Sequence, residues 1–176
     1  MEKDALWVWY IEKQQYSELR NLEQEQSQIM RIQLIKQGHP LWEKTALYAM
    51  NCTWNAGSVL AEKMIKNDFQ NWERVIVATE EKEVVAYCTI LERDELPEQY
   101  GYTPFIGFVF VDEKYRGKRI SEQMIDRAIG YAKGLGYRKL FIVSGEQGLY
   151  EKYGFEKIGD YKTIYGTTDQ LFAKEI

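Results

Sequence analysis

The sequence predicts a single α/β domain built on one sheet of mixed strand direction. Three observations carry that reading. Runs rich in β-branched and aromatic residues alternate with segments of helical period along all 176 residues. Two of those runs, Arg74–Glu80 and Glu83–Glu92, are separated only by a tight charged turn and read as an antiparallel hairpin. A third, Lys139–Val143 (KLFIV), is short, apolar and follows a helical segment, as a buried parallel strand does. The length suits one domain with a substantial core. A hydrophobic content of 45% with three prolines indicates an ordered chain.

Taken in order, Leu6–Glu12 is a short β-type run. Tyr16–Lys36 is polar, with Leu19, Leu22, Ile29, Ile32 and Ile35 at helical spacing, which predicts a helix with a thin apolar stripe. Gln37-Gly38-His39-Pro40 breaks it. Leu41–Phe69 is a richer helical stretch that Asn55-Ala56-Gly57-Ser58 either divides, with Ser58 as N-cap, or interrupts without ending. Beyond the hairpin, Arg93–Pro104 is a loop and Phe105–Val111 a strand. Ile120, Met124, Ile125, Ala128, Ile129 and Ala132 then recur with helical period until Gly134 and Gly136. Gln147–Tyr153 predicts one short helix stopped by Gly154, and Phe155–Tyr165 and Gln170–Lys174 are closing strands.

Composition excludes several functions. No apolar run approaches the roughly 20 residues of a membrane helix, and the acidic residues flanking the first apolar patch do not suit a secretory signal. A net charge of −4 disfavours a general nucleic-acid binder. Cys52 and Cys88 match no metal or redox spacing, so no metal is expected and a reduced, cytoplasmic setting is. His39, the only histidine, sits in a turn, and no nucleophile elbow accompanies it.

Against that acidic background, four of the six residues from Lys114 to Arg119 are basic. They lie where a strand turns through Gly117 into a helix. The first turn of a helix leaves N–H groups unpaired and carries partial positive charge, so a phosphate is stabilised there. Arg116, Lys118 and Arg119 oppose the helix dipole, a cost that a bound anion removes. A solvated basic turn explains the same residues without a ligand.

The stretch FVFVDEKYRGKRISEQMIDRAIGYAKGLGYRKLFIV resembles the central motif of the GNAT acetyltransferases, which move an acyl group from acetyl-CoA to an amine. Arg116 and Gly117 match its "YRGK" form, whereas Arg119 stands where the family's main glycine is expected and Ser121 where Gly or Ala is expected. Leu149–Phe155 (LYEKYGF) is similar to the family's late "YEKxGF" segment, and Val75–Leu91 resembles its second and third strands. The resemblance implies a mixed, mostly antiparallel sheet of about 6–7 strands, with helices on both faces and a splayed central strand pair. It implies a single domain. Residues 1–72 would be its acceptor side, 73–155 its acetyl-CoA core and 156–176 its closing strands.

It also implies site residues. The N–H groups of Gly117, Lys118, Arg119, Ile120 and Ser121 would hold the CoA pyrophosphate, with Arg116 beside them. Val109, Phe110 and Val111 would pair with the pantetheine arm. Arg119 is expected to stay in ordinary φ/ψ space, because it lacks glycine's freedom; if it filled the cradle, a degenerate CoA- or partner-binding module would remain. Tyr150 matches the family's general acid. Glu92 and Glu146 are candidate bases by position, beside a water relay with no single base. The partners implied are acetyl-CoA and an amine of unknown identity, with no nucleic acid or membrane, and a homodimer is left open. The aromatics Trp42, Tyr48, Trp54 and Trp72 fall in the acceptor half, and the acidic balance weakly favours a cationic acceptor.

Overall fold

The computed structural model describes residues 13–17 and 30–176. Residues 13–17 are helical (α1). Then follow β1 (Arg31–Ile35), α2 (Trp42–Asn51), α3 (Ala56–Ile65), β2 (Arg74–Glu80), β3 (Glu83–Leu91) and β4 (Phe105–Val111). α4 (Ile120–Gly134), β5 (Lys139–Ser144), β6 (Glu156–Lys162) and β7 (Thr168–Glu175) complete the chain. Among the described residues the strands form one seven-stranded sheet in the order β1-β2-β3-β4-β5-β7-β6. Every neighbouring pair is antiparallel except β4 and β5.

Strand alternation sorts the core onto two faces. Ile76, Ala78, Cys88, Ile90 and Ile106 pack under the buried stripe of α4, including Met124, Ile125 and Ala128. Val75, Val77 and Tyr87 point the other way, against Trp42 and Ala49 of α2 and Leu60 and Met64 of α3. Each fully buried large side chain contributes roughly 1.5–3 kcal/mol. The expected layout of helices on both faces of a mostly antiparallel sheet is therefore present.

Three local expectations need correction. Arg31–Ile35 is an edge strand, not the end of a helix. Ile29, Ile32 and Ile35 satisfy a helical period, but Ile32 and Leu34 pack toward the α4 side while Ile35 packs toward α2 and α3. That alternation lets the segment pair with β2 from Arg31↔Thr79 to Ile35↔Val75, and tertiary pairing overrides local spacing. The Leu6–Glu12 run and most of the 16–36 stretch lie outside the described residues. Gln147–Tyr153 is not a helix: Gly148 takes φ +72°, and only a 3₁₀ turn at Glu151–Tyr153 forms. Leu41–Phe69 does divide, but α3 begins at Ala56. Ser58 is inside its first turn, donating from Oγ to the Asn55 carbonyl at 2.8 Å. Gly57 is required there, since a Cβ would collide with the Ala49 carbonyl and lie 2.9 Å from the Tyr87 hydroxyl.

Candidate active site

β4 and β5 separate almost as soon as they meet. Their register holds one pair, Phe105↔Phe141, with Phe141 N–H donating to the Pro104 carbonyl at 3.0 Å. On its other side β4 stays paired to β3, but the register steps between Thr89↔Gly107 and Tyr87↔Phe110. Phe108 and Val109 therefore share one partner position, and Phe108 adopts φ +49°. A bulge of this kind bends its strand and breaks the ladder locally. Val109, Phe110 and Val111 lie past the bulge, where β4 has no paired residue on β5.

The C-terminal end of β4 leads into the basic turn. Asp112 caps a short 3₁₀ turn by accepting from Lys114 N–H at 3.0 Å. Gly117 follows at φ +81°, with open space where a side chain would be. Arg119 then takes φ +57°, ψ +30° as the residue capping α4. The expectation of ordinary φ/ψ for Arg119 is thus overturned. The chain enters α4 through a left-handed step, and an arginine makes it at the strain a glycine would avoid. Its side chain does not fill the turn: Nε and Nη2 both donate to the Glu122 carboxylate, the second at 2.7 Å. The first helical bond runs from Gln123 N–H to the Arg119 carbonyl at 3.2 Å. Among the described residues, the N–H groups of Gly117 to Ser121 have no carbonyl partner.

The other cations of the turn are also engaged locally. Arg116 Nε donates to the Val111 carbonyl at 3.2 Å, with Nη1 3.6 Å from Glu113. Lys118 Nζ lies 3.3 Å from Glu80 and 5.0 Å from the centre of the Tyr115 ring. These exposed pairs are weak and exchangeable. The backbone, not the side chains, provides the fixed donors.

Tyr150 is buried on the α4 side, packed against the rings of Tyr153, Phe155 and Phe172. Withdrawal from water pushes its phenol up to about 12, opposed by a hydrogen bond from Ser144, and Cys88, Glu146 and Asp94 lie within its electrostatic reach. It stays protonated at neutral pH and is a proton donor in kind. Ser121 Oγ and the Tyr153 hydroxyl are 2.8 Å apart, joining the α4 entrance to the Tyr150 turn.

The two carboxylates picked from sequence sit differently. Glu92 accepts from Gln70 Nε2 and lies 3.9 Å from Arg93 Nε. Glu146 is exposed beside Tyr150, with its N–H donating to Ser144 Oγ at 3.1 Å. Sequence reasoning missed Asp94. Its Oδ2 is 2.9 Å from where a Cβ on Gly107 would stand, so it rests on β4 immediately before the bulge. Loss of water contact and the neighbouring Glu95 push its carboxyl up to about 7, against a hydrogen bond from Glu95 N–H. A glycine inside an otherwise apolar strand (FIGFVFV) was the available signal, since such a glycine marks close approach of another group.

The α2 and α3 side of the opening is aromatic. Trp54 stacks on Phe110 with centroids 6.1 Å apart, and Phe110 stacks on Tyr87 at 5.3 Å. Beside them a cavity of about 530 Å³ is lined by Tyr48, Asn51, Cys52, Phe110, Asp112 and Lys114, among others. Trp42 is core instead, its Nε1 donating to the Met64 carbonyl at 3.2 Å. Trp72 packs against Tyr137. Cys88 is buried in mid-sheet, where burial pushes its thiol up and away from thiolate character. His39 is a loop residue that accepts Leu41 N–H at Nδ1.

Comparison with known proteins identifies the fold and the family. A family model described as the acetyltransferase (GNAT) family matches residues 39–155. No curated protein matches the sequence. Among solved structures, a GNAT family acetyltransferase from Elizabethkingia anophelis with acetyl-CoA bound aligns with a TM-score of 0.57 at 20% identity, covering 84% of this chain and 98% of that one. An acetyltransferase from Streptococcus agalactiae aligns at 0.60 with 19% identity, over 84% and 98%. An aminoglycoside 6'-N-acetyltransferase complexed with coenzyme A aligns at 0.62 with 15% identity, over 82% and 96%. At such identities the likeness is one of fold. The family model covers most of the chain, and the chain belongs to the GNAT family of acetyltransferases.

Proposed function

We propose that the protein transfers an acetyl group from acetyl-CoA to a primary amine of a small molecule or peptide, by direct attack while both substrates are bound. The observation that carries this reading is the β5-side edge of β4, unpaired among the described residues past Phe105, running into a helix entrance whose N–H groups have no carbonyl partner among those residues. An extended pantetheine arm would add to the edge at Val109–Val111 like a further strand. The pyrophosphate would lie on the N–H groups of Gly117, Lys118, Arg119, Ile120 and Ser121, with Arg116 at the rim. Residues 73–155 then form the CoA-binding core. Residues 1–72 form the acceptor side, and 156–176 close the sheet. The two free cysteines fit a reducing, cytoplasmic setting.

In the reaction the amine nitrogen, stripped of its extra proton, forms a bond to the thioester carbonyl carbon. The C–S bond then breaks toward sulfur. A β4 N–H beside the bulge would donate to the oxyanion that develops. Tyr150 would give its proton to the departing thiolate, and a carboxylate at the opening would receive the proton of the ammonium, Glu92 and Glu146 being the candidates read from sequence.

Thiol release from acetyl-CoA, measured with a panel of primary amines, tests the reading. Tyr150→Phe is expected to lower kcat while leaving CoA affinity unchanged. CoA binding without acetyl transfer to any amine would leave a ligand-binding module instead.

A further inference from the structure

We propose that Asp94 is the catalytic base that takes the proton from the acceptor ammonium, an assignment that rests on the acetyl-transfer reading above. Asp94 is brought to the opening by a backbone that leaves it room. β3 ends at Leu91, and the following turn lays the carboxylate over Gly107, with Oδ2, Cγ and Oδ1 at 2.9, 3.1 and 3.3 Å from the place a Cβ would take. Any larger residue at Gly107 would push it away. The next residue, Phe108, is the one at φ +49° where β4 leaves its ladder. The carboxylate therefore stands at the point where the sheet opens.

The face it occupies also matters. Gly107 pairs with Thr89, and Thr89 with Val75, whose side chain faces α2 and α3. Tyr150 belongs to the opposite, α4-side core. Asp94 nevertheless lies within electrostatic reach of Tyr150, so the two groups flank the gap between β4 and β5 from opposite faces. An amine arriving from the α2 and α3 side would meet Asp94, and sulfur would leave toward Tyr150. On the same face the buried Thr89 hydroxyl has no hydrogen-bond partner among the described residues.

The surroundings keep this carboxylate basic. Glu95 flanks it on its own loop, with Asp169 of β7 in electrostatic reach of Glu95, and Tyr150 on the turn beyond β5 is within electrostatic reach of Asp94. No ion pair among the described residues engages Asp94, whereas Glu92 is held by Gln70 and Arg93. Burial and Glu95 raise its carboxyl to about 7, the range in which a base is both ionised and strong enough near neutral pH. The protons balance. Asp94 accepts one from the ammonium and returns it to solvent. The second N–H proton, lost as the amide forms, replaces the one that Tyr150 gives to sulfur.

The test compares the full chain with Asp94→Asn, using acetyl-CoA and two kinds of nucleophile. Spermidine, lysine and tryptamine are protonated at neutral pH and need a base, whereas hydroxylamine is uncharged there and does not. For whichever protonated amine the wild type acetylates, Asp94→Asn should lose about 10²–10⁴-fold in kcat/KM at neutral pH. The inflection of wild-type kcat/KM near pH 7 should disappear, leaving only the steady rise set by the fraction of free amine. Transfer to hydroxylamine should remain within a few-fold, and the rise in unfolding temperature with CoA should be unchanged, which shows a folded, CoA-binding variant. Retention of both rate and pH profile in Asp94→Asn overturns the assignment, as does an equal loss with hydroxylamine. A wild type that binds CoA but acetylates no nucleophile overturns the transfer reading itself, and the base assignment with it.

Discussion

The hydroxyls of Ser121 and Tyr153 lie 2.8 Å apart and tie the first turn of α4 to the turn that carries Tyr150. The proposed phosphate cradle and the proposed acid are thus braced against each other. Ser121 occupies a position where the family motif has Gly or Ala, and this contact gives its hydroxyl a structural use. Removing either hydroxyl should cost about 1 kcal/mol, a fall of roughly 2–4 °C in unfolding midpoint for a domain of this size. Ser121→Ala combined with Tyr153→Phe should be little worse than either alone, because both remove the same bond. Additive losses in the melting series would show that the two hydroxyls act independently.

Arg119 makes a second expectation checkable. A non-glycine residue at φ +57° is strained, and its side chain is turned outward onto Glu122. Arg119→Gly should therefore raise the unfolding midpoint by roughly 2–4 °C without weakening CoA binding. Arg119→Ala should give no such rise, since alanine keeps the strain. A large loss of CoA affinity in Arg119→Gly would mean that the guanidinium, rather than the backbone, holds the phosphates.

Gly107 offers a steric test. A methyl group there would press on the Asp94 carboxylate at 2.9 Å. Gly107→Ala should cost about 1–3 kcal/mol through displacement of that side chain and should lower acetyl transfer more than CoA binding. Full activity in the variant would separate Asp94 from the chemistry.

The raised Asp94 carboxyl also predicts how stability varies with pH. Its acid form is favoured by folding, with a value moved from 3.8 to about 7. That contribution is fully present below 3.8 and is lost as pH rises through about 7. Asp94→Asn cannot ionise, so it should match the wild type near pH 4 and exceed it by about 2 kcal/mol above neutrality, allowing for partial solvent contact. Denaturant melts across pH 4–8 measure this, and a difference that does not change with pH would contradict the raised carboxyl.

Much of this architecture was legible in the residues. The hairpin, β4, α4 and the buried parallel β5 announce themselves through alternation, period and turn chemistry, because local pattern and tertiary burial agree there. β1 did not, since Ile32 and Ile35 fit a helical spacing, and only pairing with β2 puts Ile32 and Leu34 on one face and Ile35 on the other. The cradle was readable as a loop but not as a conformation: the pattern says that a glycine belongs at 119, and only the folded turn requires the left-handed step of whatever stands there. Asp94 was hidden for a related reason. A carboxylate in a polar loop becomes distinctive only when a glycine on the neighbouring strand lets it settle at the bulge.

The central claim is most directly tested by thermal unfolding of the protein with and without CoA, with AMP as control. At a hundredfold excess over Kd, a ligand bound only to the native state adds about 2.7 kcal/mol, or a rise of roughly 5–11 °C here. That rise with CoA, absent with AMP, is the predicted result. No shift at millimolar CoA would contradict the account, since the open β4 edge and the α4 entrance would then not form a CoA site.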